Sequence, residues 1–455
     1  MTPLWTALDL LEATGGTMPA PFAAAGVSID SRTLAPGDLF IALHGEAGDG
    51  HDHVEAALAK GAAGAMVDRD SAGETLLRVD DTLAGLTRMG GYGRARFTGR
   101  LVAVTGSVGK TTTKEMLRTI LAARAPTHAA VASYNNQWGL PLTLARLPPD
   151  AAFCVAEIGM NHAGEIEPLA RLAAPHVAVI TTIERAHIGF LGSIEAIADE
   201  KAAILRGLQP GGIAVLPADS ALFPRLHAAA AQARVVTFGT DIAADACLET
   251  VEADAEGTDM RARVNGETIR VRIAAPGRHM AMNATAALAA AAALGIRPAA
   301  AAAALHGFAP VTGRGARRRI EVPGGDALLL DESYNGNGAS MRAALSVLRL
   351  QPARRRIAVL GDMLELGEYG PAEHIGLAAE VAASADLLFA CGPLMRLLYD
   401  SVPQAMRGGH AANAAALAEL VGPTIRPGDV ILVKGSLGNG MKLVVAALDR
   451  LTEVA

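Results

Sequence analysis

The chain has 455 residues, too many for one hydrophobic core, and this length predicts two or three domains. Hydrophobic residues make up 51% and charged residues 19%, which indicates a globular chain and excludes a disordered one. The net charge of −6 and the aromatic content of only 4% argue against a nucleic-acid-binding protein.

Cysteine usage and the start of the chain bear on the cellular compartment. The three cysteines, Cys154, Cys247 and Cys391, are far apart and have no metal-ligand spacing, which fits a reducing compartment. The opening MTPLWTALDLLEATGG lacks the basic start and continuous apolar core of a signal peptide. The apolar run over 281–304 is rich in alanine and interrupted by polar residues, unlike a membrane span. We therefore expect a cytoplasmic protein that neither inserts into a membrane nor binds nucleic acid.

Residues 1–98 are predicted to form a separate N-terminal α/β domain. The glycine-rich stretch TGSVGKT (105–111), a candidate phosphate-binding loop, begins about a hundred residues into the chain, much later than in a minimal domain built on such a loop. The stretch GVSIDSRTLAPGDLFIAL (26–43), followed by HDHVEAALAKGAAGAMV (51–67), has strand and helix patterning of its own. GYGRARFTGR (91–100) is the predicted link to the next domain.

The sequence LVAVTGSVGKTTTKEML (101–117) starts as an apolar strand and ends with helical spacing, so its glycines lie at a strand-to-helix turn. Gly106 and Gly109 let the backbone approach an anion, and the helix N-terminus offers unpaired N–H groups. Lys110 can reach the terminal phosphates of a nucleotide, and Thr111 can ligate Mg²⁺. The alternative is an ordinary glycine-rich turn. The loop residues predicted to bind ATP are Thr105, Gly106, Ser107, Val108, Gly109, Lys110, Thr111 and Thr112.

The central domain, residues 99–311, is predicted to contain a mostly parallel sheet because short apolar runs alternate with helices. Residues 245–273 are predicted to be antiparallel strands, with an Asn-Gly hairpin signal in RVNGETIRVRI. A helical run from about 281 to 305 closes the domain. The predicted parallel strands are FCVAEIG (153–159), VAVITTI (177–183), GIAVLP (212–217) and RVVTFG (234–239).

Four polar residues of this domain are candidates for chemistry, each with a plainer alternative. Glu157 ends a buried strand, where ligands gather in parallel sheets, but it could be a capping or ion-paired residue. His187 follows the next strand and is either a second metal ligand or a structural histidine. Lys201 lies on a helix, where position alone favours a solvated lysine. Asn283, near the start of an alanine-rich helix, either caps that helix or recognises a base.

Residues 312–455 are predicted to form a Rossmann-like C-terminal domain without the G-x-G-x-x-G motif of a dinucleotide site. Arg314 lies in a basic linker, VTGRGARRR (311–319), which is either a solvated hinge or a source of a cation near the phosphates. Asp331 and Lys434 end two of the predicted strands. These strands are ALLLDES (327–333), RIAVLGDM (356–363), DLLFACG (386–392) and DVILVKGS (429–436).

These motifs, in this order, resemble those of the Mur ligases, the ATP-dependent amide-forming enzymes of peptidoglycan synthesis, over essentially the whole chain. The shortened P-loop TGSVGKTTTKE, with Val104 where the usual motif has a glycine, is the form found in that family. The chain departs from the family at Leu437, where an arginine usually follows VKGS, and in DESYNGNGAS, where D-D-S-Y-N-A-N is commoner. The stretches most similar to members that add D-alanyl-D-alanine are DSRTLAPGDLFIALHGEAGDGHDH (30–53), YNNQWGLPLTLARL (134–147), EIGMNHAGEI (157–166) and GDMLELG (361–367).

The resemblance implies an α/β protein of three domains, in which a central P-loop ATPase domain lies between an N-terminal UDP-sugar-binding domain and a C-terminal Rossmann-like domain. It implies ATP and Mg²⁺ as cofactors, and UDP-N-acetylmuramoyl-tripeptide and D-alanyl-D-alanine as substrates of a monomer. An acyl phosphate would be the intermediate. Two rivals stay open: another amide ligase of the superfamily, for instance a folate-type one, and a P-loop switch that hydrolyses nucleotide without forming a bond.

The resemblance also assigns roles to residues. The implied catalytic residues are Lys110, Glu157, His187, Lys201 and Arg314. The implied metal ligands are Thr111, Glu157 and His187, with Lys201 as a carbamate formed with CO₂. The ATP contacts outside the loop are Asn283, Arg314 and Asp331. The implied substrate-binding residues are Ser31, Arg32, Asn135, Asn136, Lys434 and Ser436. Arg314 and Asp331 are expected to reach the nucleotide only after the C-terminal domain closes over it.

Overall fold

The computed structural model of the chain describes residues 3–45, 48–71, 73–131, 133–310 and 313–451. Its strands form three large sheets that follow one another along the chain, together with a two-stranded ribbon. The predicted α/β class is confirmed. Within the described ranges, no helix is both long enough and apolar enough to cross a lipid bilayer.

The first sheet has four parallel strands. The elements of this region are α1 (Ala7–Thr14), β1 (Gly26–Ser28), β2 (Asp38–Ile41), β3 (His44–Gly45), β4 (Gly48–Asp49), α2 (Val54–Ala59), β5 (Gly64–Val67), β6 (Leu76–Arg78) and α3 (Thr82–Arg96). The strand order is β1-β2-β5-β6, and β3 pairs with β4 as the ribbon. Asp81 caps α3, since its carboxylate accepts a hydrogen bond from the Ala84 N–H. Because α3 continues to Arg96, the first part of the link predicted over 91–100 is wrong: those residues belong to this helix.

The second sheet has nine strands. Its region contains β7 (Arg100–Thr105), α4 (Lys110–Ala122), β8 (Thr127–Ala129), α5 (Gly139–Ala145), β9 (Phe153–Glu157), α6 (Ile166–Ala173), β10 (Val177–Ile180), α7 (Ile188–Leu191), α8 (Ile194–Ala202), β11 (Ile213–Pro217), α9 (Phe223–Ala229), β12 (Arg234–Gly239), β13 (Ala246–Ala253), β14 (Thr258–Val264), β15 (Glu267–Ile273), α10 (Arg278–Ala293) and α11 (Pro298–Leu305). The order is β15-β14-β13-β12-β11-β10-β7-β9-β8. The strands from β8 to β13 pair in parallel, and the predicted antiparallel hairpin is β14–β15.

Both faces of this sheet are buried. Leu101 and Ala103 of β7 point into a core shared with α6 and α8. Val102 and Val104 point into a second core shared with α4 and α10. The predicted run over 281–305 is two helices, because Gly295 adopts φ 83° after α10.

The third sheet has six strands. Its region contains β16 (Ala316–Val322), β17 (Gly325–Glu332), α12 (Gly338–Leu350), β18 (Arg355–Gly361), α13 (Gly370–Ile375), α14 (Ala378–Ser384), β19 (Leu387–Cys391), α15 (Pro393–Ser401), β20 (Arg407–Ala411), α16 (Ala414–Val421), β21 (Asp429–Lys434) and α17 (Lys442–Asp449). The order is β16-β17-β21-β18-β19-β20, with β16 antiparallel to β17.

The basic run Arg317–Arg319, predicted as linker, lies in β16 instead. The predicted domain boundary at 98/99 falls between α3 and β7. The predicted boundary at 311/312 lies outside the described residues. Both boundaries stay predictions.

Candidate active site

The P-loop lies at the carboxyl end of the buried strand β7, where the backbone turns into α4. Gly106 has φ 144° and Gly109 has φ 84°, conformations that a residue with a side chain rarely adopts. A Cβ atom at Gly106 would overlap the Thr181 hydroxyl, and one at Gly109 would overlap the Asn283 side chain. Both positions therefore require glycine, because the backbone has a positive φ and because neighbouring side chains leave no room for a Cβ atom. This favours a phosphate-binding loop over an ordinary turn.

Lys110 is the first residue of α4 and is half buried. Its Nζ donates to the carbonyl oxygen of Gly106 at 2.8 Å and lies 3.4 Å from that of Ser107. Burial lowers the pKa of Lys110, and the nearby Glu157 carboxylate opposes that shift. The side chain therefore faces the loop that would hold phosphates.

Glu157 is fully buried at the end of β9 and accepts hydrogen bonds from two other predicted site residues. Its Oε2 accepts a hydrogen bond from the Thr111 hydroxyl at 2.8 Å. Its Oε1 accepts one from Asn135 Nδ2 at 2.7 Å. The Thr111 hydroxyl also lies 3.2 Å from Ser133 Oγ. A carboxylate and a hydroxyl in contact at the base of the P-loop are the hard oxygen donors that suit Mg²⁺.

Arg314 reaches the same cluster from the start of the third region. Its Nη2 donates to Ser133 Oγ at 2.7 Å, and its guanidinium carbon lies 4.2 Å from the centre of the Tyr334 ring. This contact is made with the third region docked against the second, and the expectation that Arg314 reaches the nucleotide only after the C-terminal domain closes stays a prediction.

His187 forms an ion pair with the third region. It adopts φ 60° just before α7, and its Nδ1 lies 2.5 Å from Oε2 of Glu365 in the third region. No contact of His187 with Thr111 or Glu157 is present within the described residues. Its predicted role as a metal ligand stays a prediction.

Lys201 is 1% exposed, so the solvated lysine favoured by its position is wrong. Burial lowers its pKa well below the ordinary value, and the nearby Lys110 ammonium acts in the same direction. In the described part of the chain, Lys201 has neither a hydrogen-bond partner nor an ion-pair partner. Its amine is thus biased toward the neutral, nucleophilic form.

Of the other two predicted ATP contacts, Asn283 and Asp331, only the first is shown to contact the loop among the residues that the structure describes. Asn283, on α10, is directly beside Gly109. Asp331 is buried, and its Oδ1 accepts hydrogen bonds from the backbone N–H and the hydroxyl of Ser333. The structure thus brings Asn283 to the P-loop, whereas the Asp331 carboxylate is engaged by its own turn.

The predicted substrate residues are spread over all three regions. Arg32 forms an ion pair with Asp30 on an exposed surface, next to Ser31. Asn136 accepts a hydrogen bond from Gly139 N–H at the start of α5. In the third region, Lys434 donates to the Asn335 carbonyl oxygen at 2.9 Å and lies 3.3 Å from Glu332 Oε2. Ser436 donates to the Gly336 carbonyl oxygen and accepts from Leu364 N–H.

Sequence reasoning missed Ser133, Thr181, Thr182 and Tyr334. Thr181 and Thr182 follow β10, which pairs in parallel with β7, so the rule that ligands gather at strand ends could have found them. Tyr334 lies in the quoted DESYN stretch. Ser133 carries no comparable signal, because its partner Arg314 is 181 positions away in the chain.

Comparisons with known proteins identify the family to which the chain belongs. Family models match over residues 24–82 (Mur ligase family, catalytic domain), 104–291 (Mur ligase middle domain) and 318–437 (Mur ligase, glutamate ligase domain). The UDP-N-acetylmuramoyl-tripeptide–D-alanyl-D-alanine ligase of Synechocystis sp. is 36% identical, covering 93% of this chain and 91% of that protein. The Bacillus subtilis protein of the same name is 35% identical, with 93% of each chain covered.

A solved structure is similar over the same extent. The crystal structure of MurF from Acinetobacter baumannii has a TM-score of 0.85 and 31% identity, covering 98% of this chain and 99% of that one. The family models match three successive parts of the chain, the relatives are matched over almost their whole length, and a solved structure has the same fold. We conclude that this chain belongs to the Mur ligase family.

Proposed function

We propose that this protein is the ATP-dependent ligase that joins D-alanyl-D-alanine to UDP-N-acetylmuramoyl-tripeptide in peptidoglycan synthesis. The products are the UDP-linked pentapeptide, ADP and phosphate. The observation that carries the proposal is the 36% identity, over 93% of the chain, to a relative of that name. The P-loop with Thr111 and Glu157 at its base supplies the chemistry that such a reaction requires.

The reaction needs a carboxylate to become an electrophile. An oxygen of the tripeptide carboxylate attacks the γ-phosphorus of ATP, the bond to the ADP oxygen breaks, and an acyl phosphate results. The amine of D-alanyl-D-alanine then attacks the acyl carbon, phosphate leaves, and the amine loses a proton. The protein chiefly aligns the reactants and stabilises charge. Lys110 and the N–H groups at the start of α4 would face the phosphates, and Arg314 would add a cation near Thr111, which it reaches through Ser133.

Mg²⁺ fits the donors at the base of the loop. The Thr111 hydroxyl and the Glu157 carboxylate are the residues that would hold it, and His187 remains in the proposed set. Because Glu157 is fully buried with no cation paired to it among the described residues, a divalent ion would also compensate its charge. When bound, the ion neutralises phosphate charge that builds up during transfer.

Lys201 is proposed to be carbamylated. The neutral amine attacks the carbon of CO₂, an N–C bond forms, and one proton is lost, which leaves an anionic oxygen donor. The support is that Lys201 is buried with a lowered pKa, since only the neutral amine reacts. A carbamate would also place a negative charge near the Lys110 ammonium, in place of a neutral amine.

The remaining assignments complete the proposal. The UDP-sugar would lie against the N-terminal region near Ser31 and Arg32, and the peptide near Asn135, Asn136, Lys434 and Ser436. Asn283 would contact adenine, and Asp331 the ribose. We infer a monomer that works in the cytoplasm, where its nucleotide-linked substrate and ATP are found.

One assay separates this function from its rivals. Purified protein is incubated with ATP, D-alanyl-D-alanine and UDP-N-acetylmuramoyl-tripeptide, supplied in parallel with diaminopimelate or lysine as third residue, and the products are measured by mass spectrometry. We expect the UDP-pentapeptide, with phosphate release that requires both peptide substrates. Phosphate release from ATP alone would instead indicate a nucleotide switch. A parallel incubation replaces the peptide substrates with a folate and glutamate, and product formed only there would indicate a folate-type ligase.

A further inference from the structure

The P-loop is held by the segment that follows β10, residues 181–184. The Ser107 N–H donates to the Thr182 carbonyl oxygen at 2.9 Å, and the Val108 N–H donates to the Thr182 hydroxyl at 3.1 Å. The Thr181 hydroxyl donates to the Val108 carbonyl oxygen at 2.5 Å. Ser107 Oγ donates to the Glu184 carbonyl oxygen and accepts from its N–H, both at 2.9 Å. The position of the P-loop therefore depends on this segment.

The same segment continues directly into a contact with the third region. Arg185 Nη1 donates to Glu373 Oε1 at 2.9 Å, and the Glu373 side chain is only 13% exposed. The Arg185 guanidinium carbon also lies 5.7 Å from the centre of the Tyr369 ring. Four residues later, the Gly189 N–H donates to the Glu365 carbonyl oxygen at 2.9 Å.

Gly189 allows an unusually close approach of the two backbones. A Cβ atom at Gly189 would lie 2.7 Å from the Gly367 nitrogen and 2.9 Å from the Glu365 carbonyl oxygen. Neither atom belongs to a flexible side chain, so any residue with a side chain at position 189 would push the third region away. The contact thus combines an ion pair with a backbone junction that only glycine permits.

We propose that Arg185 and Gly189 are positioning residues, through which the docked C-terminal region fixes the P-loop for phosphoryl transfer. The inference rests on the proposed ligase function. Docking of residues 365–373 holds residues 185–189, and these hold residues 181–184, whose hydrogen bonds fix Ser107 and Val108. Transfer of a phosphoryl group is sensitive to displacements of about 1 Å, which can cost roughly 100-fold in rate. Loss of docking therefore lowers turnover with little change in substrate binding.

The ion pair is tested by a double-mutant cycle. Arg185→Gln and Glu373→Gln are each expected to lower kcat by roughly 10-fold, with the KM values of all three substrates within about 2-fold of wild type. The kcat of the double variant should be no lower than that of the less active single variant, since each side chain acts through the other. The matched control is Arg171→Gln, which breaks the exposed ion pair with Glu167 in the same region and should leave kcat unchanged.

The backbone junction is tested without changing any charge. Gly189→Ala is expected to lower kcat at least as much as Arg185→Gln. Its control is Gly91→Ala in α3, where the added methyl group meets only Leu172 at an ordinary 3.5 Å. Melting temperatures of all variants are measured alongside, and if Gly189→Ala does not fold, the ion-pair cycle carries the test.

The outcomes separate this inference from the proposed function. A wild-type protein that forms no pentapeptide contradicts the function. An active wild type whose Arg185 and Glu373 variants keep kcat within about 2-fold contradicts the inference. Losses that multiply in the double variant also contradict it, because they would mean that the two side chains act on substrate independently.

Discussion

Lys110 is the residue through which the P-loop would act on the transferred phosphate. Its ammonium is held by loop carbonyl oxygens, and it contributes little to the buried cores. Lys110→Ala should lower kcat by roughly 100- to 1,000-fold, the usual cost of removing one charged donor to a transition state. The melting temperature should change by less than about 4 °C, equivalent to roughly 1 kcal/mol in a domain of about 200 residues such as the central one.

The control for this prediction is Arg124→Ala, an exposed cation beyond the far end of α4. It should have wild-type turnover. Normal activity of Lys110→Ala would remove the P-loop from the mechanism.

Lys201 differs from a surface lysine in burial and in pKa. Lys201→Ala should abolish measurable turnover, and added bicarbonate should not restore it, because the variant has no amine to carbamylate. A substitution at a solvated helix position normally changes stability by less than about 0.5 kcal/mol and leaves activity intact. Glu195→Ala, at an exposed position of the same helix, is the matched control.

The modification itself can be observed without turnover. Wild-type protein equilibrated with ¹³C-bicarbonate should give a carbamate carbon signal in NMR spectra, and Lys201→Ala should lack it. A wild type without that signal, or a variant with near-normal turnover, would contradict the carbamate role.

The burial of Lys201 could have been predicted from the sequence. It lies four residues after Ile197 and four before Leu205, both buried, so the helical period puts it on the inward face. Contacts such as Arg314 with Ser133 were out of reach, because they depend on how two separate sheets are juxtaposed. The positions of the P-loop residues and Glu157 were predictable, since parallel strands bring their carboxyl ends to one edge.

At the scale of elements, the strands of the second and third sheets that the sequence did not predict share one property. β8 lies at an edge of the nine-stranded sheet, and β16 and β20 are the two edges of the six-stranded sheet. Edge strands carry polar and charged residues, as in ARRRIEV and RGGHA, and therefore lack the apolar run by which buried parallel strands are recognised. The predicted interior strands were confirmed because each of them does have such an apolar run.

The ribbon β3–β4 carries a pH-dependent contact. His44 Nε2 lies 3.1 Å from Asp68, and Nδ1 lies 3.1 Å from Asp49, which also pairs with Arg69. The hydrogen bond to Asp68 raises the pKa of His44. When the pKa of a group is higher in the folded state than in the unfolded state, the group stabilises the fold fully at pH values below its unfolded-state pKa, which is about 6.5 for histidine. That contribution is lost as the pH rises through the folded-state pKa.

The melting temperature should therefore fall more for wild type than for His44→Gln between about pH 6 and about pH 8.5, the range around the ordinary histidine pKa. His306→Gln, an exposed histidine of the second region, should follow wild type. Parallel curves for wild type and His44→Gln would show that the ribbon contact does not contribute to stability.

At the scale of the whole molecule, the second and third regions meet through Arg314, Arg185 and Gly189. These contacts describe a closed arrangement, which would exclude water from an acyl phosphate that otherwise hydrolyses. Domains joined by modest polar interfaces usually move relative to one another. We expect an open form without ligands, and closure when a nonhydrolysable ATP analogue and UDP-tripeptide are both bound. Small-angle scattering should then record a smaller radius of gyration, and an unchanged radius with binding verified would contradict closure.

Arg314 connects closure to chemistry. Its guanidinium, packed on Tyr334, reaches Ser133 and through it the Thr111 hydroxyl only when the third region is docked. Arg314→Ala should therefore lower kcat by roughly 100-fold, as for loss of a charge-stabilising donor, while the dissociation constant of UDP-tripeptide changes by less than about 3-fold. Arg319→Ala, an exposed arginine on β16 that is 83% accessible, is the control and should leave both quantities unchanged. Equal losses of turnover and binding in Arg314→Ala would mean that the arginine already acts in the open enzyme, because a contact made only on closure cannot weaken the initial binding of substrate.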